Sequence, residues 1–165
     1  MIIASSCLVG KKCSYDGENR FSAAVFSVCK KFGYIDLCPE LLGGFGSPRE
    51  KHEVSFGGGT AVLNGAGKVV SESGEERTDK FLRGANEALA LCLRSGATIA
   101  FLKAKSPSCG KGMIYDGSFC GRLVAGNGVT AELLMLNGMK VFTENEVDEA
   151  RLEIEKYQKS DCENE

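Results

Sequence analysis

Short apolar runs alternate with longer amphipathic stretches along the chain. Apolar runs of four to six residues, bounded by glycine or polar residues, have the length of buried strands. The predicted strands are MIIAS (1–5), YIDLC (34–38), TIAFLK (98–103) and KVFT (140–143). Between them, apolar residues recur every three or four positions, which is the spacing of one helix face. The predicted helices are SAAVFSVCKKFG (22–33), EERTDKFLRGANEALALCLRSG (75–96), GVTAELLMLNG (128–138) and ENEVDEARLEIEKYQKS (144–160).

This alternation of strands and helices is typical of an α/β domain whose sheet is mostly parallel. Right-handed crossovers, with one reversal beside the first strand, predict the strand order 2-1-3-4 and helices on both faces. We therefore expect a three-layer Rossmann-like domain with a four-stranded sheet. Residues 61–71 (AVLNGAGKVVS) have two strand-like runs around Asn64 and Gly65, and they predict a small hairpin insertion.

Charge and hydropathy argue against a nucleic-acid or membrane partner. The 165 residues carry a net charge of −2 and contain no run of five like charges. No apolar run approaches the roughly 20 residues that cross a bilayer, and the first residues lack the basic start of a signal peptide. We expect a cytoplasmic protein that acts on a small molecule. It would have one domain over residues 1–147, then a C-terminal helix and frayed tail over residues 148–165; its oligomeric state stays open.

Three of the eight cysteines follow predicted strands directly or closely. Cys7 comes after the first strand, Cys38 ends the second, and Cys109 lies beyond the third. The carboxyl ends of parallel strands meet at one edge of the sheet, where ligand sites form. We therefore expect these cysteines to converge there, together with Cys13 from the same loop as Cys7. In a reducing compartment, clustered cysteines are more often metal ligands or catalytic groups than disulfides.

Two segments place a serine-flanked cysteine before a Tyr-Asp-Gly turn, at residues 5–17 and 106–117. We interpret them as equivalent strand-end loops that aim Cys7 and Cys109 into one crevice. Cys29 and Cys92 lie within helical patterns and are interpreted as small buried hydrophobes. Cys120, in a loop, can be either a structural cysteine or part of the site, and Cys162, in the tail, receives no role.

The cysteine pattern favours an iron–sulfur cluster over other thiol sites. No CxxC pair occurs, which excludes a CxxC dithiol redox site and argues against a zinc knuckle. His52 is the single histidine, so a Cys-His catalytic site has only one candidate member. Widely separated thiolates that a fold brings together suit a cluster. Reduced cysteines that pack loop turns are the alternative, and spacing does not distinguish three ligands from four.

Motifs along nearly the whole chain resemble the bacterial domain-of-unknown-function family 523, which includes 2-thiouracil desulfidases. The segments are SSCLVGKKCSYDG, LCPELLGGFGSPRE, FLRGANEAL, KAKSPSCGKGMIYDGSFCGRLVAGNGVTAELL and GMKVFTENEV. The resemblance implies a 4Fe-4S cluster held by Cys7, Cys38 and Cys109, with an open iron that takes the thiocarbonyl sulfur. It implies acid/base roles for Glu40 and Ser106. Three positions depart from the usual family residues: Ser14, Ala125 and Asn127.

The residues themselves are compatible with those roles, although each also has a structural explanation. A carboxylate two residues after a ligand, as Glu40 is, can deprotonate a water, or it can cap the turn that follows. Ser106 and Ser108 flank Pro107 and can bind substrate or simply form a turn. Cys13 and Asp16 are candidates for residues that contact the ligands without binding the metal. The main expected role of Asp16, as of Asp116, is to form a turn. Arg49 and Glu50 are expected to pair with each other or with a loop.

We therefore expect iron–sulfur-dependent, non-redox removal of sulfur from a thiolated pyrimidine such as 2-thiouracil. Purification in air can remove the cluster or exchange it for zinc. Two other classes stay open: a cluster protein that transfers electrons or senses oxidants, and a zinc-stabilised domain that binds a small molecule. Complete ligation by Cys7, Cys13, Cys38 and Cys109 would favour the former, and the sequence does not identify the thiolated compound.

Overall fold

The structure, a computed structural model, describes residues 1–163, with side chains described through Tyr157. The strands are β1 (Ile2–Ser5), β2 (Tyr34–Leu37), β3 (His52–Val54), β4 (Val69–Ser71), β5 (Ile99–Leu102), β6 (Met113–Tyr115), β7 (Leu123–Ala125) and β8 (Lys140–Thr143). The helices are α1 (Ala23–Phe32), α2 (Pro39–Leu42), α3 (Gly58–Leu63), α4 (Thr78–Ser95), α5 (Val129–Leu136) and α6 (Val147–Glu163). A 3₁₀ turn, Ser6–Val9, follows β1.

The central sheet is parallel throughout and has the order β2-β1-β5-β8. In the central strand, Ile2 lies opposite Tyr34 on one side and Ile99 on the other. These four strands are the ones that the sequence predicts, so the order 2-1-3-4 is confirmed. The carboxyl ends of β1, β2 and β5 consequently lie side by side at one edge.

Each face of the sheet buries a separate core, because successive strand residues point to opposite faces. Ile2 packs with α1 and α6, whereas its neighbour Ile3 packs with α4 and α5. Cys29 of α1 is 0% exposed and Cys92 of α4 is 1% exposed. Both cysteines are therefore buried helix residues, as the sequence indicates, and the domain has three layers.

Two antiparallel hairpins, β3-β4 and β6-β7, lie outside the central sheet. The predicted hairpin insertion is present, but the prediction of its first strand was wrong: Ala61 and Val62 belong to α3, and β4 pairs with β3. A run of three apolar residues has no periodicity that separates helix from strand. Tertiary packing decides for the helix here, since Val62 is buried in one cluster with Val69 and with residues of α5.

The last helix begins at Val147 and continues to Glu163. The tail that the sequence predicts to fray is thus helical as far as residue 163, and residues 164–165 and the Cys162 side chain lie outside the described part of the chain. None of the helices among residues 1–163 combines the length and the apolar composition that crossing a bilayer requires.

Candidate active site

A cavity of about 410 Å³ lies at the carboxyl edge of the central sheet. Cys7, Cys13, Cys38 and Cys109 all line it. Three of them are buried, and Cys38 is half-buried at the start of α2. The structure thus brings together the four cysteines that the sequence places at strand ends.

The sulfur atoms contact one another and a serine. The thiol of Cys13 lies near the thiols of Cys38 and Cys7, and the Cys38 thiol lies 4.0 Å from the Cys13 carbonyl oxygen. The Ser5 hydroxyl donates to the Cys109 sulfur over 3.7 Å. Among the described residues, no three Cys, His, Asp or Glu side chains are grouped closely enough to hold a single metal ion.

Burial and contact between thiols raise the pKa values of Cys13, Cys38 and Cys109. Burial, followed by the charge of Cys38, raises the pKa of Cys109 to about 12. The hydrogen bond with Cys13, followed by burial, raises the pKa of Cys38. For Cys13, the hydrogen bond with Cys38 lowers the pKa, but contact with Cys7 and burial outweigh it and the pKa reaches about 11. A metal bound by the sulfurs would supply the positive charge that stabilises thiolates.

The loop that carries Cys7 is held by an aspartate of the neighbouring strand. Ser6 donates a hydrogen bond to Asp36 over 2.6 Å, and the Lys11 ammonium lies 2.8 Å from the same carboxylate. The 3₁₀ turn ends at Gly10, whose φ of 101° is open to glycine but strained for other residues. These contacts position Cys7 at the edge of the sheet.

Glu40 and Arg49 form a nearly buried ion pair on the cavity wall. The Arg49 Nε donates to Glu40 Oε2 over 2.6 Å, and the two side chains are 8% and 12% exposed. Arg49 also donates to the carbonyl oxygens of Cys13 and Gly46, over 2.9 and 3.0 Å. The sequence suggested that Arg49 pairs with Glu50 or with a loop. Its bonds to the loop carbonyls of Cys13 and Gly46 agree with the second alternative, whereas Glu50 accepts a hydrogen bond from Ser73.

The two serines around Pro107 have different surroundings. Ser106 lines the cavity, and its Oγ accepts hydrogen bonds from the backbone N–H groups of Ser108 and Cys109, both over 3.1 Å. Ser108 is 1% exposed, and its hydroxyl is hydrogen-bonded to that of Thr130 over 2.7 Å. Ser106 therefore shapes the turn that presents Cys109, whereas Ser108 lies behind the cavity wall.

Both Tyr-Asp-Gly segments are turns closed by the aspartate, as interpreted from the sequence. Asp16 accepts a hydrogen bond from the backbone N–H of Glu18, and Asp116 from that of Ser118. Asp16 also pairs with Arg20 over 2.6 Å, and Arg20 lines the cavity. Asp16 thus does not line the cavity itself but contacts Arg20, which does.

Three further observations concern residues to which the sequence assigned no place in the site. Of the departures from the family pattern, Ser14 lines the cavity. The Asn127 side chain lies outside it, where it accepts a hydrogen bond from the Gly112 backbone N–H and donates one to the Glu132 carboxylate. Cys120 is exposed in the loop between β6 and β7. His52 and Glu53 of β3 line the cavity beside the cysteines, which the local sequence does not signal.

His52 is buried without a hydrogen-bond partner. It is 6% exposed, and its ring lies 4.8 Å from that of Phe45 and 5.4 Å from that of Phe81, measured between ring centres. Neither ring nitrogen has a partner among the described residues. Burial, followed by the charge of Arg49, lowers the pKa of His52 from 6.5 to about 4. The folded protein therefore favours the neutral imidazole.

Acid should destabilise the protein through His52. The unfolded chain binds the proton near pH 6.5 and the folded chain only near pH 4, so this contribution is complete above pH 6.5 and is lost as the pH falls toward 4. We expect a loss of about 2 kcal/mol between pH 7 and pH 5. The substitution His52→Phe should abolish that part of the loss. Urea unfolding of both proteins at the two pH values measures it; equal losses would show that His52 carries no acid sensitivity.

The chain is similar to known proteins along most of its length. Residues 2–146 match the family model described as 2-thiouracil desulfurase. The uncharacterized protein YbbK of Bacillus subtilis (strain 168) is 44% identical over 149 residues, which are 90% of this chain and 99% of that protein. A solved structure of the [4Fe-4S]-dependent thiouracil desulfidase TudS superposes with a TM-score of 0.82 at 39% identity, covering 93% of this chain and 97% of that one.

Proposed function

Because the chain belongs to the 2-thiouracil desulfurase family, we propose that it removes sulfur from a thiolated pyrimidine such as 2-thiouracil with a 4Fe-4S cluster. The reaction replaces the C=S bond by C=O: water supplies the oxygen, and the sulfur leaves as hydrogen sulfide. No electrons are gained or lost. The observation that carries the proposal is the shared cavity, in which cysteines from separate strand ends lie beside the carboxylate of Glu40.

The donor set of the cavity fits an iron–sulfur cluster. Four cysteines line it, and cysteine thiolates are the usual ligands of such clusters. We propose that Cys7, Cys38 and Cys109 hold the cluster and that Cys13 supports them through its contacts with Cys7 and Cys38. When bound, the cluster would supply a Lewis-acidic iron with an open position and a strong affinity for sulfur. TudS, which has a similar structure, is described as [4Fe-4S]-dependent.

Glu40 is the proposed general base. Arg49 binds its Oε2 and thereby fixes the carboxylate, while Oε1 accepts no hydrogen bond from the described residues. A carboxylate held on one side and free on the other can take a proton from a water in the cavity. Glu40 lies two residues after Cys38, in the first turn of α2, so its position relative to that cysteine is set by the helix.

Ser106 is the proposed proton donor to the substrate. Its Oγ already accepts two backbone N–H groups, and the proton of its own hydroxyl stays free to donate. We propose that this proton is donated to the substrate, either to the oxygen that develops at the attacked carbon or to the departing sulfur. The turn before Cys109 holds the hydroxyl in place, which is the orientation that proton transfer needs.

The reaction is tested with protein reconstituted anaerobically with iron and sulfide. Absorption and EPR spectra report the cluster, and incubation with 2-thiouracil should then yield uracil and sulfide in equal amounts. Protein loaded with zinc instead is the control, and it should release none. If the reconstituted protein shows the cluster but releases no sulfide from any thiolated base or nucleoside, the desulfidase proposal falls. An electron-transfer or sensor role would then take its place.

A further inference from the structure

Glu53 is a buried carboxylate with one engaged and one free oxygen. It is 8% exposed and lines the same cavity as the cysteines. Its Oε2 accepts hydrogen bonds from the backbone N–H groups of Gly117, over 2.8 Å, and Phe119, over 3.0 Å. No described residue donates to Oε1. The side chain thus holds the loop between β6 and β7 through Oε2, and its Oε1 can accept a hydrogen bond from a ligand.

The neighbouring residue, His52, also has polar atoms without partners among the described residues. His52 lines the same cavity, is 6% exposed and has two ring nitrogens without partners. Buried polar groups in folded proteins are nearly always hydrogen-bonded, and a buried charge without enough partners is costly. The His52 nitrogens are buried against Phe45 and Phe81, whereas the Glu53 oxygen without a donor among the described residues belongs to a side chain of the cavity wall. That oxygen therefore indicates a place where a polar ligand binds.

Glu53 and the cysteines belong to different parts of the fold. Glu53 lies on β3 of a small antiparallel hairpin, whereas Cys7, Cys38 and Cys109 follow strands of the central sheet. The cavity of about 410 Å³ is bounded by both parts. A ligand whose sulfur points toward the cysteines has the rest of its ring available to residues such as Glu53.

We infer that Glu53 binds the substrate by accepting, through Oε1, a hydrogen bond from a ring N–H. This inference rests on the proposed function. A carboxylate accepts hydrogen bonds and does not donate them, and the ring of 2-thiouracil carries N–H groups next to its thiocarbonyl carbon. The site would thus select pyrimidines with a free N–H over N-alkylated ones, because an alkyl group leaves the buried carboxylate oxygen unpaired.

The substitution Glu53→Gln tests this with little change in shape. The amide oxygen of glutamine can still accept from Gly117 and Phe119, while its NH₂ replaces Oε1 and turns the acceptor into a donor. We expect reconstituted E53Q to bind uracil about 10- to 100-fold more weakly than the parent, consistent with loss of a hydrogen bond to a charged group. The cluster spectrum should be unchanged. The matched control is Glu72→Gln, which alters an exposed carboxylate that lines the same cavity.

Methylated ligands separate a lost hydrogen bond from a disturbed loop. Of 1-methyluracil and 3-methyluracil, only one lacks the N–H that donates to Glu53. The parent should bind that isomer more weakly than uracil, and E53Q should lose that preference. Calorimetry on the reconstituted proteins measures all three affinities without any turnover. A variant that keeps the preference of the parent overturns the inference, as does an equal loss of affinity for all three ligands. If the parent neither binds uracil nor releases sulfide from 2-thiouracil, the proposed function falls and this inference with it.

Discussion

Serine in place of Cys7, Cys38 or Cys109 is expected to abolish assembly of the cluster. Each of these cysteines lines the cavity from a different strand end, so each substitution removes the sulfur that its strand end supplies. A hydroxyl is a much weaker ligand for iron than a thiolate. After anaerobic reconstitution, each variant should lack the brown absorption and the bound iron and sulfide of the parent.

Cysteines away from the cavity provide the matched controls. Cys29 is 0% exposed in α1 and Cys92 is 1% exposed in α4, and both pack in the hydrophobic core. Serine at either position should cost about 1–3 kcal/mol of stability, since it buries a hydroxyl, but should leave the chromophore complete. A full chromophore in Cys109→Ser would remove Cys109 from the ligand set.

Substitution of Cys13 tests whether three or four cysteines bind the cluster. It contacts both Cys7 and Cys38, so its sulfur is near enough to take part. If three cysteines hold the cluster, Cys13→Ser should retain the chromophore and lose only some stability of the loop. A colourless Cys13→Ser protein would instead indicate complete ligation, which favours an electron-transfer or sensor role.

The substitution Glu40→Gln is expected to reduce sulfide release from 2-thiouracil by about 10² to 10⁴, which is the usual contribution of a general base. Glutamine keeps the size of the side chain and can still accept a hydrogen bond from Arg49, but it cannot take a proton from water. The cluster spectrum should therefore survive. Initial rates of sulfide release, normalised to the bound iron of each sample, measure the effect.

The ion pair with Arg49 predicts a second effect of Glu40→Gln. Both side chains are nearly buried, so the variant leaves a buried guanidinium without its counter-charge, which is destabilising. The control is Glu50→Gln, which changes an exposed carboxylate next to Arg49 that bonds Ser73. It should alter neither the rate nor the stability appreciably. If Glu40→Gln and the parent release sulfide equally fast, Glu40 is not the base.

Most of the central fold could be predicted from the sequence, but the two hairpins could be predicted only in part. The strands β1, β2, β5 and β8 are apolar runs separated by amphipathic helices, and the right-handed crossover rule then restricts their order. The segment 61–63 was assigned to a strand although it is helical. The strands of β6-β7 are three residues each, which is too short for a pattern of alternation to be detected.

The sequence by itself determined which side chains reach the carboxyl edge of the sheet, because strand ends follow from local periodicity and chain order. It therefore placed Cys7, Cys38 and Cys109 at one cavity. Only the tertiary structure decided what holds the other groups there: Arg49 on Glu40, and the loop of Gly117 and Phe119 on Glu53. Each pair joins a residue of a short helix or strand to an irregular segment, nine positions away in one case and more than sixty in the other. Their geometry depends on how the loops pack against one another, and no periodicity in the sequence encodes it.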